Sequence, residues 1–298
     1  MSYDINQCQL YKLRNKKRLA EIFNFKSFFD FKKYVVNKCY YIKFDKIIRG
    51  KKRTIDHPNL SLSIIHSRIF ELLRRITPPD YLHSGVKGRS YISNAEAHIG
   101  PFPVCTLDIK SFYPSTTFTR VYNCYHKVFL CSPDVSFFLT KVSTNGEFLP
   151  TGSQLSQILA FYCHKEIFDT IYNNSIKDNF TMTCYVDDIT ISGNGLNKKW
   201  IYDNVKKVIK SKGLEYHKEK FYLKFEHKLI TGVIVNDEKT KLRNKHHLNI
   251  YSSFQELSDE TMTGRDKVYE KIVGQLSAAG QIEKKFITLK EHLKPPQI

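Results

Sequence analysis

Two adjacent carboxylates, Asp187 and Asp188, lie between two short runs of apolar and β-branched residues, Thr181-Met182-Thr183-Cys184 and Ile189-Thr190-Ile191-Ser192, the second ending at Gly193. Runs of this length and composition read as strands. Tyr185-Val186-Asp187-Asp188 between them leaves room only for a tight turn, so the segment predicts a β-hairpin with acids at its tip. An acidic tip is a natural holder for a divalent cation. Asp is also a common turn residue, and a chain this long contains about one Asp-Asp pair by chance, so the hairpin needs a third carboxylate before it constrains chemistry.

Asp108 is that candidate. It closes the run Val104-Cys105-Thr106-Leu107, which reads as a strand, and precedes the aromatic cluster Phe112-Tyr113-Pro114. If this strand lies beside the hairpin, three carboxylates converge within a few ångström. Two unit charges about 5 Å apart repel by roughly 3 kcal/mol at an effective dielectric of about 20, so the cluster is unfavourable unless a cation shares it. Mg²⁺ suits such a site, being a hard ion held by carboxylates and substrate phosphates. Two such ions roughly 3.5–4 Å apart are the usual apparatus for in-line displacement at phosphorus.

Composition adds a polyanionic partner. Lys and Arg number 47 against 29 Asp and Glu, a formal charge of +18 spread along the chain. Neutralising phosphates releases counterions and gives sequence-independent affinity for nucleic acid, although a merely basic surface reads composition equally well. Seven cysteines form no Cys-x-x-Cys pair and are odd in number, which argues against a disulfide framework and a zinc site and for a reducing, cytoplasmic setting. A polar, soon basic N-terminus and the lack of a run of about 18 apolar residues argue against export and a membrane span. At this length a substantial core can form, in one to three structural units.

Several segments in fixed order carry a family resemblance. Leu107-Asp108-Ile109-Lys110-Ser111-Phe112-Tyr113-Pro114-Ser115, then Leu149-Pro150-Thr151-Gly152-Ser153, then Tyr185-Val186-Asp187-Asp188, then Gly213-Leu214 leading to Lys220 resemble the palm motifs of reverse transcriptases. Two more resemble the bacterial retron type: Asn94-Ala95-Glu96-Ala97-His98 is similar to its Asn-Ala-x-x-His signature, and Ile230-Thr231-Gly232 to its Val-Thr-Gly signature with Ile for Val. The resemblance implies an α+β right-hand polymerase with fingers and N-terminal helices in residues 1–103, a split βαβ palm in 104–235 and a short helical thumb in 236–298. It also implies an RNA-directed DNA polymerase that copies a cognate structured noncoding RNA, primes from a 2′-hydroxyl within it, makes branched RNA–DNA from deoxynucleoside triphosphates and acts with an effector protein in defence against phage. Two alternatives stand beside it: an abortive-infection-type polymerase that works without a template, and a noncatalytic RNA-binding module.

The resemblance also implies roles at the site. Asp108 and Asp187 would ligate two Mg²⁺ ions, with Asp188 a peripheral ligand or electrostatic support and Ile109 offering its backbone carbonyl. Tyr113 would lie beneath the incoming sugar and reject a 2′-hydroxyl, leaving Phe112 to the core. Lys46 and Arg53, on a basic hairpin from Lys46 to Ile55 that turns at Gly50, would clamp the triphosphate; the competing reading is a solvated charge run. Gly152 would let the backbone approach the base pair, and Lys220 would protonate pyrophosphate, though an exposed Lys is more often simply solvated. Asn94, His98, Thr231 and Gly232 are the retron signature, with His98 read as a structural histidine that fixes its loop. Where relatives have Pro-Gln-Gly, this chain has Pro150-Thr151-Gly152, followed by Gln154 and Gln157; Thr151 is shorter than Gln, which puts nucleotide selection in question.

Around these motifs the pattern predicts an amphipathic helix over Asn59–Ile76 with Leu60 and Ile64 on its apolar face. From Val104 onward it predicts strand, helix, helix, strand, strand, helix, strand, the helices over Pro114–Phe129 and Ser153–Asn173 and the last strand over Phe221–Phe225. A further strand is read over Leu229–Val235. The aromatics between Phe23 and Tyr41 read mostly as a helix face, with base stacking as the alternative, and His246-His247 as surface residues.

Overall fold

A computed structural model of the chain describes residues 2–37, 40–48, 50–258 and 264–294; Cys39, and Arg49 of the basic hairpin, lie outside them. The elements run α1 (Lys16–Ile22), α2 (Phe28–Asn37), β1 (Tyr41–Ile48), β2 (Lys51–Pro58), α3 (Leu60–Leu73), α4 (Tyr91–Glu96), β3 (Val104–Ile109), α5 (Phe112–Ser115), α6 (Phe118–Asn123), α7 (Pro133–Ser143), α8 (Gln154–Lys177), β4 (Thr181–Tyr185), β5 (Asp188–Ser192), α9 (Lys198–Ile201), α10 (Lys207–Ser211), β6 (Tyr216–Tyr222), β7 (Lys228–Ile230), β8 (Val233–Val235), β9 (Thr240–Lys241), α11 (Asn244–Ser258), α12 (Arg265–Gly280) and α13 (Lys285–Glu291). Among the described residues no helix is long and apolar enough to cross a membrane.

The alternation in Val104–Ile109 organises the centre. β3 pairs antiparallel with β5 on one side and β6 on the other, in a sheet of order β4-β5-β3-β6. Successive residues point to opposite faces, so Cys105, Leu107 and Ile109 join Met182, Cys184, Ile189 and Ile191 on an apolar face within the main core, where α8 packs against β4. Each fully buried Leu or Ile there contributes about 1.5–3 kcal/mol. The opposite face carries Thr106, Asp108, Thr183, Asp188, Thr190 and Ser192 in register. One end of it is closed by a second core, in which Ile92 and Ala95 of α4 meet Val104, Ile230 and Val233.

Several elements differ from expectation. The last sheet strand is Tyr216–Tyr222, not Phe221–Phe225: as an edge strand it carries charge on its solvent side, which hides it from a reading based on apolar runs. Leu229–Val235 is a hairpin of β7 and β8, because Thr231 and Gly232 both have positive φ, +45° and +91°. Helix α7 was not expected from its Ser- and Thr-rich sequence; Thr140, Ser143 and Thr144 satisfy their hydroxyls on carbonyls one turn back and stay buried. In place of one helix over Pro114–Phe129, the chain makes α5, α6 and a π-turn over Cys124–Val128. α3 ends at Leu73 and buries Leu62, Ile65 and Ile69, but Leu60 and Ile64 are 84% and 66% exposed. Most of the N-terminal aromatics pack into the core, Phe23 stacking on Phe31 at 5.5 Å and Phe28 meeting Phe138 edge-on at 5.0 Å, while Phe29 and Tyr40 are exposed. Helices α11–α13 form a separate small core around Ile272, Leu276 and Phe286.

Candidate active site

The turn joining β4 to β5 sets Tyr185 opposite Asp188, leaving Val186 and Asp187 as its central residues. Val186 has φ +60°, a setting that costs a β-branched residue about 1–3 kcal/mol and persists only where the surroundings over-determine it. Here they do. The Val186 N–H donates to Ser84 Oγ at 2.9 Å and the Cys184 N–H to the Tyr81 carbonyl at 2.7 Å, while the His83 N–H donates to the Cys184 carbonyl at 2.9 Å. From the other side the Ile109 N–H donates to the Asp187 carbonyl at 2.9 Å. Residues 81–84, to which the sequence reading gave no role at the site, therefore clamp the acidic turn.

Register sets Asp108 opposite Asp188 on one neighbour and opposite His217 on the other. Directly opposed residues share a face, so Asp188, Asp108 and His217 form one row beside the Asp187 turn. Burial, and then the Asp108 charge, push the Asp187 carboxyl above the usual carboxylate range. Burial, followed by the charges of Asp187 and Asp108, pushes Asp188 up to about 7. Asp108, more than seventy residues upstream, and the adjacent Asp187 and Asp188 are thus electrostatic neighbours.

Two basic side chains answer them. β6 is irregular opposite Leu107, with Lys218 at φ +52°. The bulge turns Lys218 onto Asp108, Nζ to Oδ2 at 2.5 Å, and His217 Nε2 stands against Oδ1 without hydrogen-bond geometry, so that Oδ1 is buried with no donor. Lys220 is exposed and opposite Thr106, one row further from Asp108. The bases that reach the carboxylates are therefore His217 and Lys218, not Lys220. The sequence reading missed them because a bulge shifts which residues of a strand face the site, and nothing in the letters marks it.

The donor set fits a divalent cation in kind: hard oxygens that repel one another, one of them buried and orphaned. Asp108 and Asp187 are the candidates to hold it. Among the described residues no group of three or more His, Cys, Asp or Glu side chains is already arranged to hold a metal ion. Reverse transcriptases as a family use divalent metal ions.

The remaining candidates sort by position. Tyr113 is half-buried; burial, then the Asp187 charge, push its hydroxyl up to about 12, while Phe112 is core. Lys46 and Arg53 are opposed across β1 and β2, both exposed. Gly152 does make a close approach, but to the β2 backbone: its N–H donates to the Asp56 carbonyl at 3.1 Å, and an added Cβ would lie 2.6 Å from that oxygen. Thr151 Oγ1 donates to the Thr54 carbonyl at 3.4 Å and Gln154 Nε2 to Ser67 Oγ at 2.5 Å, so this altered segment is tied to β2 and α3; Gln157 lies against Gly85. His98 is fully buried between sheet hydroxyls, and Asn94 Nδ2 donates to Thr231 Oγ1 at 3.5 Å, joining the two distant signature segments.

Residues 43–248 match the family described as reverse transcriptase (RNA-dependent DNA polymerase). The chain is 36% identical over 143 residues to the Retron Se72 reverse transcriptase of Salmonella heidelberg, a match spanning 48% of this chain and 38% of that one. It is 23% identical over 239 residues to the Retron Ec86 reverse transcriptase of Escherichia coli, spanning 79% and 73%. The RNA-dependent RNA polymerase of a human picorbirnavirus has a similar structure, with a TM-score of 0.54 at 10% identity over 85% of this chain and 55% of that one. The fold is that of a right-hand polymerase, as expected from the sequence.

Proposed function

The chain belongs to the reverse transcriptase family, the RNA-dependent DNA polymerases of which its relatives are the bacterial retron type, and we propose that it is the polymerase of a retron. In this reading it copies a cognate structured noncoding RNA, starts from a 2′-hydroxyl of that RNA, leaves a branched RNA–DNA product, and serves antiphage defence with an effector protein in the cytoplasm. Residues 1–103 act as fingers, 104–235 as palm and 236–298 as thumb.

The observation that carries the proposal is the row of Asp188, Asp108 and His217 beside the strained Asp187 turn. Asp108, Asp187 and the Ile109 carbonyl would hold two magnesium ions, which when bound supply positive charge to the attacking hydroxyl and the departing pyrophosphate. The chain's own residues do the positioning. Lys46 and Arg53 receive the triphosphate, Arg as a bidentate fork and Lys as a point charge. Gly152 keeps β2 close to the segment on which the nascent pair rests, and Lys220, with Lys218 nearer the acids, bears positive charge toward pyrophosphate. Tyr113 lies under the sugar, where a 2′-hydroxyl loses solvation without gaining a partner. Tyr113→Ala should admit ribonucleotides, with discrimination falling by about 10- to 200-fold; unchanged incorporation ratios would remove the gate. The Asn94–Thr231 hydrogen bond supports the retron type, because it makes one unit of that type's two signatures.

Sequencing nucleic acid that copurifies with the protein from its own host tests the whole reading. Branched RNA–DNA of fixed sequence is expected. Protein-linked DNA of no fixed sequence would replace the reading with template-independent synthesis, and RNA alone with a noncatalytic RNA-binding role.

A further inference from the structure

The hairpin that carries Lys46 and Arg53 is a two-stranded sheet of its own, and such a pair is marginal unless another element holds it. The loop between α7 and α8 does so. The Thr151 hydroxyl and the Gly152 N–H bond to the carbonyls of Thr54 and Asp56, and Asn145 Nδ2 donates to Asp56 Oδ2 at 2.7 Å. The same loop is tied to the segment that follows α5, the helix of Tyr113. There the Phe118 N–H donates to the Glu147 carbonyl at 2.6 Å, the Leu149 N–H donates to the Thr116 carbonyl at 3.1 Å, and Thr117 bridges to Phe148. The loop is thus a strut between the triphosphate side of the site and the sugar side.

Asn145 and Asp56 form the side-chain joint of that strut. The Asn145 amide is held in one orientation, because its Oδ1 accepts from the Glu147 and Phe148 N–H groups at 3.2 and 3.1 Å, which turns Nδ2 to Asp56. The ends of the loop are pinned too: buried His66 stands 2.6 Å from the Val142 carbonyl through Nε2 and 2.5 Å from Ser153 Oγ through Nδ1. Asp56 is buried, and its Oδ1 makes no hydrogen bond, Lys43 Nζ coming to 4.0 Å of it. For packing alone an apolar residue of that size is the more stable choice.

Asp56 is opposed to Lys43, three rungs from the Lys46 and Arg53 pair, so its side chain lies on the other face of the hairpin from those two bases. Three rungs span about 10 Å. A tilt of about 6° at Asp56 therefore displaces the two bases by about 1 Å, a misplacement of the size that disables a binding geometry. We infer that Asn145 and Asp56 are positioning residues, which act through the hairpin to set the reach of Lys46 and Arg53 toward the triphosphate. This rests on the polymerase reading and on the place of the two bases within it.

Primer extension at about pH 8, far above the ordinary carboxylate range, tests the joint. Asn145→Asp keeps the bonds to the Glu147 and Phe148 N–H groups but sets one carboxylate against another. The KM for deoxynucleoside triphosphates should rise at least about tenfold while kcat changes by less than about threefold. Adding Asp56→Asn exchanges amide and carboxylate and should bring KM back to within about threefold of the unaltered protein, a rescue that a general loss of packing does not give. Affinity for the primer–template duplex, read by fluorescence anisotropy, should be the same in each protein, with thermal melting monitoring the fold. An unchanged KM in Asn145→Asp, a raised KM that the exchanged pair does not restore, or a parallel fall in duplex affinity overturns the inference. If Asn145→Asp alone does not fold, the exchanged pair decides, and a KM more than about threefold above that of the unaltered protein overturns it. No extension by the unaltered protein sinks the polymerase reading itself, whereas normal extension with an indifferent KM sinks the positioning role alone.

Discussion

At one end of the polar face of the β3–β5 sheet, Thr183, Ser192 and His98 are buried and paired: His98 Nδ1 lies 2.7 Å from Ser192 Oγ and Nε2 2.8 Å from Thr183 Oγ1. Two rungs along the same face, Asp108 and Asp188 are also drawn out of water, but against each other, with Asp108 Oδ1 lacking a donor. Burial acts on both ends and moves each group toward its neutral form, lowering His98 to about 3 and raising Asp188 to about 7. What differs is satisfaction. A buried polar group with its hydrogen bonds made fixes the structure around it, and one without them marks where something else is to bind.

The largest test of the contrast is at the unsatisfied end. Asp187→Asn should reduce DNA extension by about 10²- to 10⁴-fold, the loss of several kcal/mol of charge stabilisation, while the melting temperature of the metal-free protein holds or rises. Equal loss of activity and stability would mean the acid is structural after all. At the satisfied end the signs reverse. His98→Ala leaves two buried hydroxyls unpaired and a cavity, and should lower unfolding free energy by about 2–4 kcal/mol in a denaturant titration; a change below about 0.5 kcal/mol would break the comparison.

The two ends should also respond oppositely to pH. Asp188 has a folded pKa above its ordinary 3.8, so its contribution is full below about pH 4 and is lost as pH rises through about 7. His98 is lowered from 6.5 to about 3, so its contribution is present above about pH 6.5 and lost as pH falls toward 3. Without metal, Asp188→Asn should therefore stabilise the protein more near pH 8 than near pH 5, by on the order of 2 kcal/mol once partial solvent exposure is allowed for. A pH-independent difference would show that the acids do not repel. The smallest effect is expected at Lys220: Lys220→Met should change extension by less than about threefold, as for an exposed lysine, and Lys218→Met by more. The reverse order would make Lys220 the main positive charge toward pyrophosphate.

Much of this site was legible beforehand. Asp108, Asp187 and Asp188 could be read because a strand ending in Asp and a hairpin with an acidic tip are local patterns, each carried by alternation and turn chemistry over a few residues. His98 could be read as a structural histidine that fixes its loop, and it is buried between two sheet hydroxyls. By contrast, the position of β6, the turn that parts β7 from β8, and helix α7 do not follow from the sequence. An edge strand, a hairpin turned on a threonine, and a helix rich in hydroxyl residues each contradict local propensity and are settled by partners elsewhere in the chain.

The sequence by itself determined the family, the carboxylates and the face of each strand they occupy, since these follow from residue type and a two-residue period. Only the tertiary structure decided which bases answer the acids, that residues 81–84 clamp the turn, that Gly152 gives its space to Asp56, and that Asn94 reaches Thr231. Those depend on register, a bulge and contacts between segments up to 137 residues apart, and long-range pairing is set by the packing of the whole chain, which no local pattern encodes.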